Sequence, residues 1–137
     1  MWVDRRVAVL AVALAFAGCA PTQSPNDAAL CSAYSDGRSG VEVVADGAVT
    51  RVLGIAQGRV SPHEGFLFRP SSGCSVVVRI EVNTDFTGPI PLTAGEHVLV
   101  KGEYEYYPRG GVIHWTHRDP RGRHDNGYIE AGGRTYF

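Results

Sequence analysis

Apolar and polar positions change rhythm several times along this chain, and each change marks an element. Val7 to Ala17 is an unbroken apolar run of eleven residues behind Arg5 and Arg6. A bilayer span needs about 20 apolar residues, so this run reads as the core of a signal peptide over residues 1–18. Residues 19–25 follow as a Pro- and Ser-containing tether, and residues 26–137 form a single domain. Asn26 reads as an N-cap with Asp27 in the first turn. The segment from Asp27 to Tyr34 predicts two helical turns that bury Leu30 and Tyr34, ended by Gly37 and Gly40.

The rest alternates as strands. Val41 to Leu53 is Val-rich around Asp46-Gly47 and predicts one long strand bent at the glycine, with a hairpin as the alternative. Gly54 to Pro62 reads as a loop, His63 to Arg69 as a strand, Ser71-Ser72-Gly73 as a turn and Ser75 to Val82 as an apolar strand. Asn83 to Gly95, with two prolines and two glycines, reads as a long connection. His97 to Tyr107 is the clearest strand. A turn at Arg109-Gly110 would pair it with Val112 to His117, setting Tyr104 opposite Trp115 and Tyr106 opposite Ile113 as core aromatics. The other face then carries Glu105 opposite His114 and Glu103 opposite Thr116. A last hairpin runs from Tyr128 to Phe137 across Gly132-Gly133. Many short strands and one short N-terminal helix predict a mainly β fold. The expected form is a small closed or partly open antiparallel barrel, OB-like, with a two-layer β-sandwich as the alternative.

Composition changes this picture in two places. Without residues 1–18 the chain carries 11 Lys+Arg against 13 Asp+Glu, a net charge of −2 that argues against a dedicated polyanion binder. The basic residues nevertheless gather late, at Arg109, Arg118, Arg121 and Arg123. There are three cysteines. Ala17-Gly18-Cys19 is close to a lipobox, which would make Cys19 a lipid anchor; ordinary cleavage after Ala17 is the alternative. If Cys19 is lipidated, Cys31 and Cys74 remain as a disulfide pair in an oxidising compartment, or as two buried thiols. The expected location is a membrane-anchored lipoprotein facing the periplasm or cell exterior, or else a soluble secreted protein.

No nucleotide-binding glycine loop, C-x-x-C, H-E-x-x-H or G-x-S-x-G is present. The candidate chemistry is His117, Asp119 and His124, with His63 from another strand. Imidazole and carboxylate hold zinc and related divalent metals, and they act as general acids and bases near neutral pH. His114 and His117 point to opposite faces of a regular strand and share no ligand unless the strand breaks near Thr116. His114, Glu105 and Trp115 therefore read as supporting structure. Each remaining residue also has a plain role: Asp119-Pro120 as a turn opener, His124 as a solvated turn residue, and Arg118 and Arg121 as a solvated loop.

Gly102-Glu103-Tyr104-Glu105, Gly110-Gly111-Val112-Ile113-His114-Trp115-Thr116-His117, then Asp119-Pro120, Gly122 and His124 together resemble an uncharacterised bacterial family of small, often exported proteins, DUF3465. The likeness extends more weakly through Asn83, Asp85 and Phe86 to His63 and Phe66, covering roughly residues 39–137. It departs at His63-Glu64, where the family tends to have His-Gln, and at Val82-Asn83, where it tends to have His-Asn. The resemblance implies membership and no activity. Two functions are expected from the residues. One is a lipid-anchored module binding an envelope ligand such as an anionic oligosaccharide or nucleic acid. The other is a metal- or histidine-dependent hydrolase working through the His117–His124 loop, with Arg118 or Arg121 steadying developing negative charge.

Overall fold

The structure, a computed structural model, describes residues 23–137; the expected signal peptide and Cys19 lie outside the described residues. Helix α1 spans Asp27–Ser35, and the Asn26 side chain accepts from the Ala29 N–H as its N-cap. Its buried apolar side chains are Leu30 and Ala33, with Ala29 and the expected Tyr34 partly buried against the core. Asp27 does more than meet the helix dipole. Its carboxylate accepts from the Asp46 N–H at 2.8 Å and from Ser72 through both N–H and hydroxyl, at 3.1 and 2.9 Å. A disulfide between Cys31 and Cys74 joins the same helix to the same turn.

All strands belong to one seven-stranded sheet in the order β1-β2-β3-β5-β4-β6-β7, and β1 also pairs with β4. Strand β1, Val41–Gln57, is the bent strand. Its first half pairs with β4 (His97–Glu105) and its second half with β2 (Pro62–Pro70). Gly47 sits where the partners change, and a Cβ there would lie 2.1 Å from the Arg69 carbonyl oxygen. Strand β3 (Val78–Asn83) pairs with β2, and β5 (Val112–His114) lies parallel to β3 and antiparallel to β4. Five strands thus close into a partial ring, joined at β3–β5 by only two residue pairs. The expected mainly β fold is observed as one sheet with a partly ring-like closure, its β3–β5 contact parallel where an all-antiparallel arrangement was expected. Strands β6 (Tyr128–Ala131) and β7 (Arg134–Tyr136) form the expected last hairpin. Val43, Val49, Phe66, Phe68, Ile80, Val98, Val100, Tyr104 and Ile113 fill the interior.

Four expectations are corrected. The Gly54–Pro62 loop is largely strand, because β1 runs on to Gln57 through shifts in register near Val49 and Val52. Strand β3 begins only at Val78 and is not uniformly apolar: Arg79 and Glu81 point outward between buried Val78, Ile80 and Val82. The long connection contains a one-turn helix α2, Thr84–Thr87, capped by Asn83. The β4–β5 turn is longer than two residues, and Tyr104 pairs with Ile113, Glu103 with His114, Glu105 with Val112. The Tyr106 N–H leaves the ladder for the Ser39 hydroxyl, and the Tyr104 hydroxyl donates to the Gly110 carbonyl, which holds the wider turn. The slip is two residues, so the side chains that remain paired keep their expected faces.

Candidate functional site

Strand β5 stops at His114 because Trp115 turns the chain: its φ is 53°, the only positive φ at a non-glycine among the described residues. Trp115 was expected in the core opposite Tyr104. Instead the residue is 37% exposed. The reversal buries Thr116, whose hydroxyl donates to the Glu81 carbonyl at 3.0 Å, and turns the next residues across the end of β3. The loop returns through Gly127, whose N–H donates to the His117 carbonyl. Only glycine fits there, since a Cβ would lie 2.0 Å from the Trp115 carbonyl oxygen.

Asp119 organises this loop. Its own N–H donates to Asn126, and its two carboxylate oxygens accept from the N–H groups of Arg121 and Arg123 and from the Arg123 side chain. Burial pushes the Asp119 carboxyl up, but these donors outweigh it and hold the pKa at about 2. The turn-opening role is therefore the observed one, and both oxygens are engaged.

Three imidazoles share one arrangement. The Nδ1 atoms of His63, His117 and His124 lie 2.9, 2.7 and 2.7 Å from the carbonyls of Ser61, Arg118 and Asp125. A carbonyl only accepts, so each Nδ1 carries the proton and each Nε2 keeps a free lone pair when the ring is neutral. His117 is buried and stacks on Phe86 at 4.2 Å between centroids. Burial lowers its pKa most, with His124 and His63 adding to the effect, against the Arg118 carbonyl and Asp119. His124 stacks on Trp115 at 4.4 Å and meets His117 edge-on at 5.0 Å. Its Nε2 is buried with no hydrogen-bond partner, 3.9 Å from Asp119. It is not the solvated turn residue that its sequence neighbours suggested.

His63 and His117 border adjoining depressions. One of about 520 Å³ is lined by Val60, Ser61, His63, Asn83, Asp85, Phe86, Trp115, His117, Arg121 and Arg123. A smaller one of about 110 Å³ continues from His63, Trp115 and His117 to Glu81 and His114. A third, about 430 Å³, runs on beneath Leu53 and Ala56 of β1. A separate pocket of about 450 Å³ lies beside Pro25, Asp46, His97, Glu130 and Arg134.

The structure thus brings His63, His114, Trp115, His117 and Arg121 to one cleft. Arg118 is not part of it, because its guanidinium lies 3.8 Å over the Phe137 ring. The expected metal set of His117, Asp119 and His124 is adjacent but not gathered. Among the described residues, the one group whose donor atoms all lie within 4.8 Å is Glu103, Glu105 and His114. Sequence reasoning underrated Phe86, Asn83 and Glu81. Asn83-Thr84-Asp85 is a cap signature that would have placed α2, and with it Phe86, beside the cleft. Glu64, beside His63, is structural: buried, it accepts from the Ile90 N–H at 2.8 Å.

The family described as "Protein of unknown function (DUF3465)" matches residues 10–137. No curated protein and no solved structure matches the chain.

Proposed function

We propose that this chain, which belongs to the DUF3465 family of proteins of unknown function, is an exported, lipid-anchored envelope protein whose cleft binds an anionic ligand carrying a flat ring. Single-stranded nucleic acid is the leading class and an anionic oligosaccharide the comparison. The observation that carries this reading is Trp115. A bulky residue held at φ 53° stores backbone strain, and such strain gathers at ligand sites. Its partly exposed ring borders the cleft with Phe86, which is 43% exposed, and Arg121 and Arg123 stand on the same rim. Aromatic faces stack on bases and arginines attract phosphates, a combination that serves single strands. The Cys31–Cys74 disulfide supports an oxidising compartment.

The test is equilibrium binding of a short oligonucleotide and of an anionic oligosaccharide at two salt concentrations. Oligonucleotide binding that weakens with salt, and weakens again in Arg121→Ala, is the expected result. Binding of neither, or binding indifferent to Arg121, refutes the reading.

One observation favours a second reading, a hydrolase. Burial disfavours the charged form of the His117 ring, with Nδ1 tied down and Nε2 as its remaining basic atom. That is the arrangement of a general base. Nε2 would take a proton from an attacking water, while Arg121 steadies the charge developing on the ligand. Turnover lost in His117→Gln with binding retained supports this reading; no turnover in the unaltered protein removes it and leaves the binding reading intact.

A further inference from the structure

We infer that Glu103, Glu105 and His114 form a divalent-cation site on the outer face of β4 and β5, distinct from the histidines of the His117–His124 loop. The sheet builds it directly. Residues two apart on a strand share a face, so β4 presents Glu103 and Glu105 side by side, and β5 sets His114 opposite Glu103. The His114 Nε2 lies 3.6 Å from a Glu103 oxygen and 3.8 Å from a Glu105 oxygen, and the three donor atoms all fall within 4.8 Å of one another.

The obvious alternative is an imidazolium bridging two carboxylates. Such a pair contracts to about 2.7–2.9 Å, and neither contact here is a hydrogen bond. The His114 Nε2 is buried with no partner in the protein. A second orphan stands beside it. Glu42 on β1 pairs across from Glu103, and one of its oxygens is also buried without a partner. A cation between Glu103, Glu105 and His114 would satisfy the imidazole nitrogen and relieve the gathered negative charge together.

The spacing suits a small ion. Ligands about 2.1 Å from zinc in a tetrahedron lie roughly 3.4 Å apart, a few tenths of an ångström inside the two distances from His114 to the carboxylates. Two carboxylates and one imidazole favour zinc or manganese over magnesium, which prefers oxygen and holds its waters. The three side chains are each about a third exposed, which leaves positions for water or a ligand atom. His114 also borders the cleft, its ring 5.1 Å from that of Trp115.

The experiment is calorimetric titration of the mature chain with zinc, manganese and magnesium, alongside thermal melts. The expected result is one equivalent of zinc or manganese bound, with a raised melting temperature. Affinity should fall at least tenfold in Glu103→Gln/Glu105→Gln and in His114→Ala, and remain unchanged in His124→Ala. Should the double variant fail to fold, manganese added to the unaltered protein decides by paramagnetic broadening. Broadening of the His114 ring resonances ahead of those of His117 and His124 supports the site. Broadening at His117 and His124 first, weak binding at several equivalents, or affinity lost only in His124→Ala overturns it. Because metal binding is read without any organic ligand, its failure leaves the anionic-ligand reading untouched.

Discussion

Replacing Trp115 by alanine and, separately, by glycine isolates the backbone strain on which the functional reading rests. Both variants lose the same ring. A tryptophan buries about 150–250 Å², and with 37% of this one exposed about 130 Å² is lost, or roughly 3 kcal/mol at ~25 cal/mol per Å². That term cancels between the two variants. Left over is the backbone at φ 53°. A left-handed conformation costs a residue with a Cβ about 1–2 kcal/mol, while glycine avoids that cost but has about 0.5–1 kcal/mol more unfolded-state freedom to lose. Trp115→Gly should therefore be more stable than Trp115→Ala by about 0.5–1 kcal/mol, the reverse of the usual order in regular structure. Urea unfolding followed by far-ultraviolet circular dichroism measures the difference. If the alanine variant is as stable as the glycine variant or more so, Trp115 is not strained and its position at the cleft loses its meaning.

Three further outcomes follow from the geometry. Reducing the Cys31–Cys74 bond, which spans 43 residues, should cost about 4 kcal/mol in the chain-entropy account; denaturant midpoints with and without reductant measure it, and unchanged midpoints contradict it. Folding stability should decline as pH falls below 6.5, because the buried His117 takes up a proton less readily folded than unfolded. A further loss through Asp119 belongs between its ordinary value of 3.8 and about 2, and stability flat from pH 7 to 5 removes the His117 contribution. Cys19→Ala should move the protein from the membrane to the soluble fraction, and unchanged fractionation together with a mass lacking acyl chains rules out the anchor.

Much of the architecture was legible because local patterns and tertiary packing agree. Asn26 caps α1, Gly47 bends β1 and Gly132-Gly133 turns the last hairpin, each through chemistry local to its own segment. The β4–β5 pairing was legible only to its face. The two-residue slip comes from Ser39 and Gly110, whose bonds to Tyr106 and Tyr104 are invisible to strand periodicity. The candidate site was half legible for the same reason. Residue types singled out His117 and His124, but nothing in the spacing shows that Trp115 reverses the chain, nor that Phe86 arrives from α2 to stack on His117. Asp119 went the other way. Its chemistry fits a ligand, yet three donors from its own loop occupy its carboxylate.

The most direct test of the proposed cleft is fluorescence of Trp115 itself. Trp2 is the other of the chain's two tryptophans and falls within the expected signal peptide, so in the mature protein Trp115 is the sole tryptophan and can be excited selectively over tyrosine. Titration with a short single-stranded oligonucleotide should quench that emission saturably at one equivalent per chain. The quench should weaken as salt rises and shift to higher concentration in Arg121→Ala. Emission unaffected by the oligonucleotide while an independent assay records binding would place the ligand elsewhere, and contradict the assignment of the cleft.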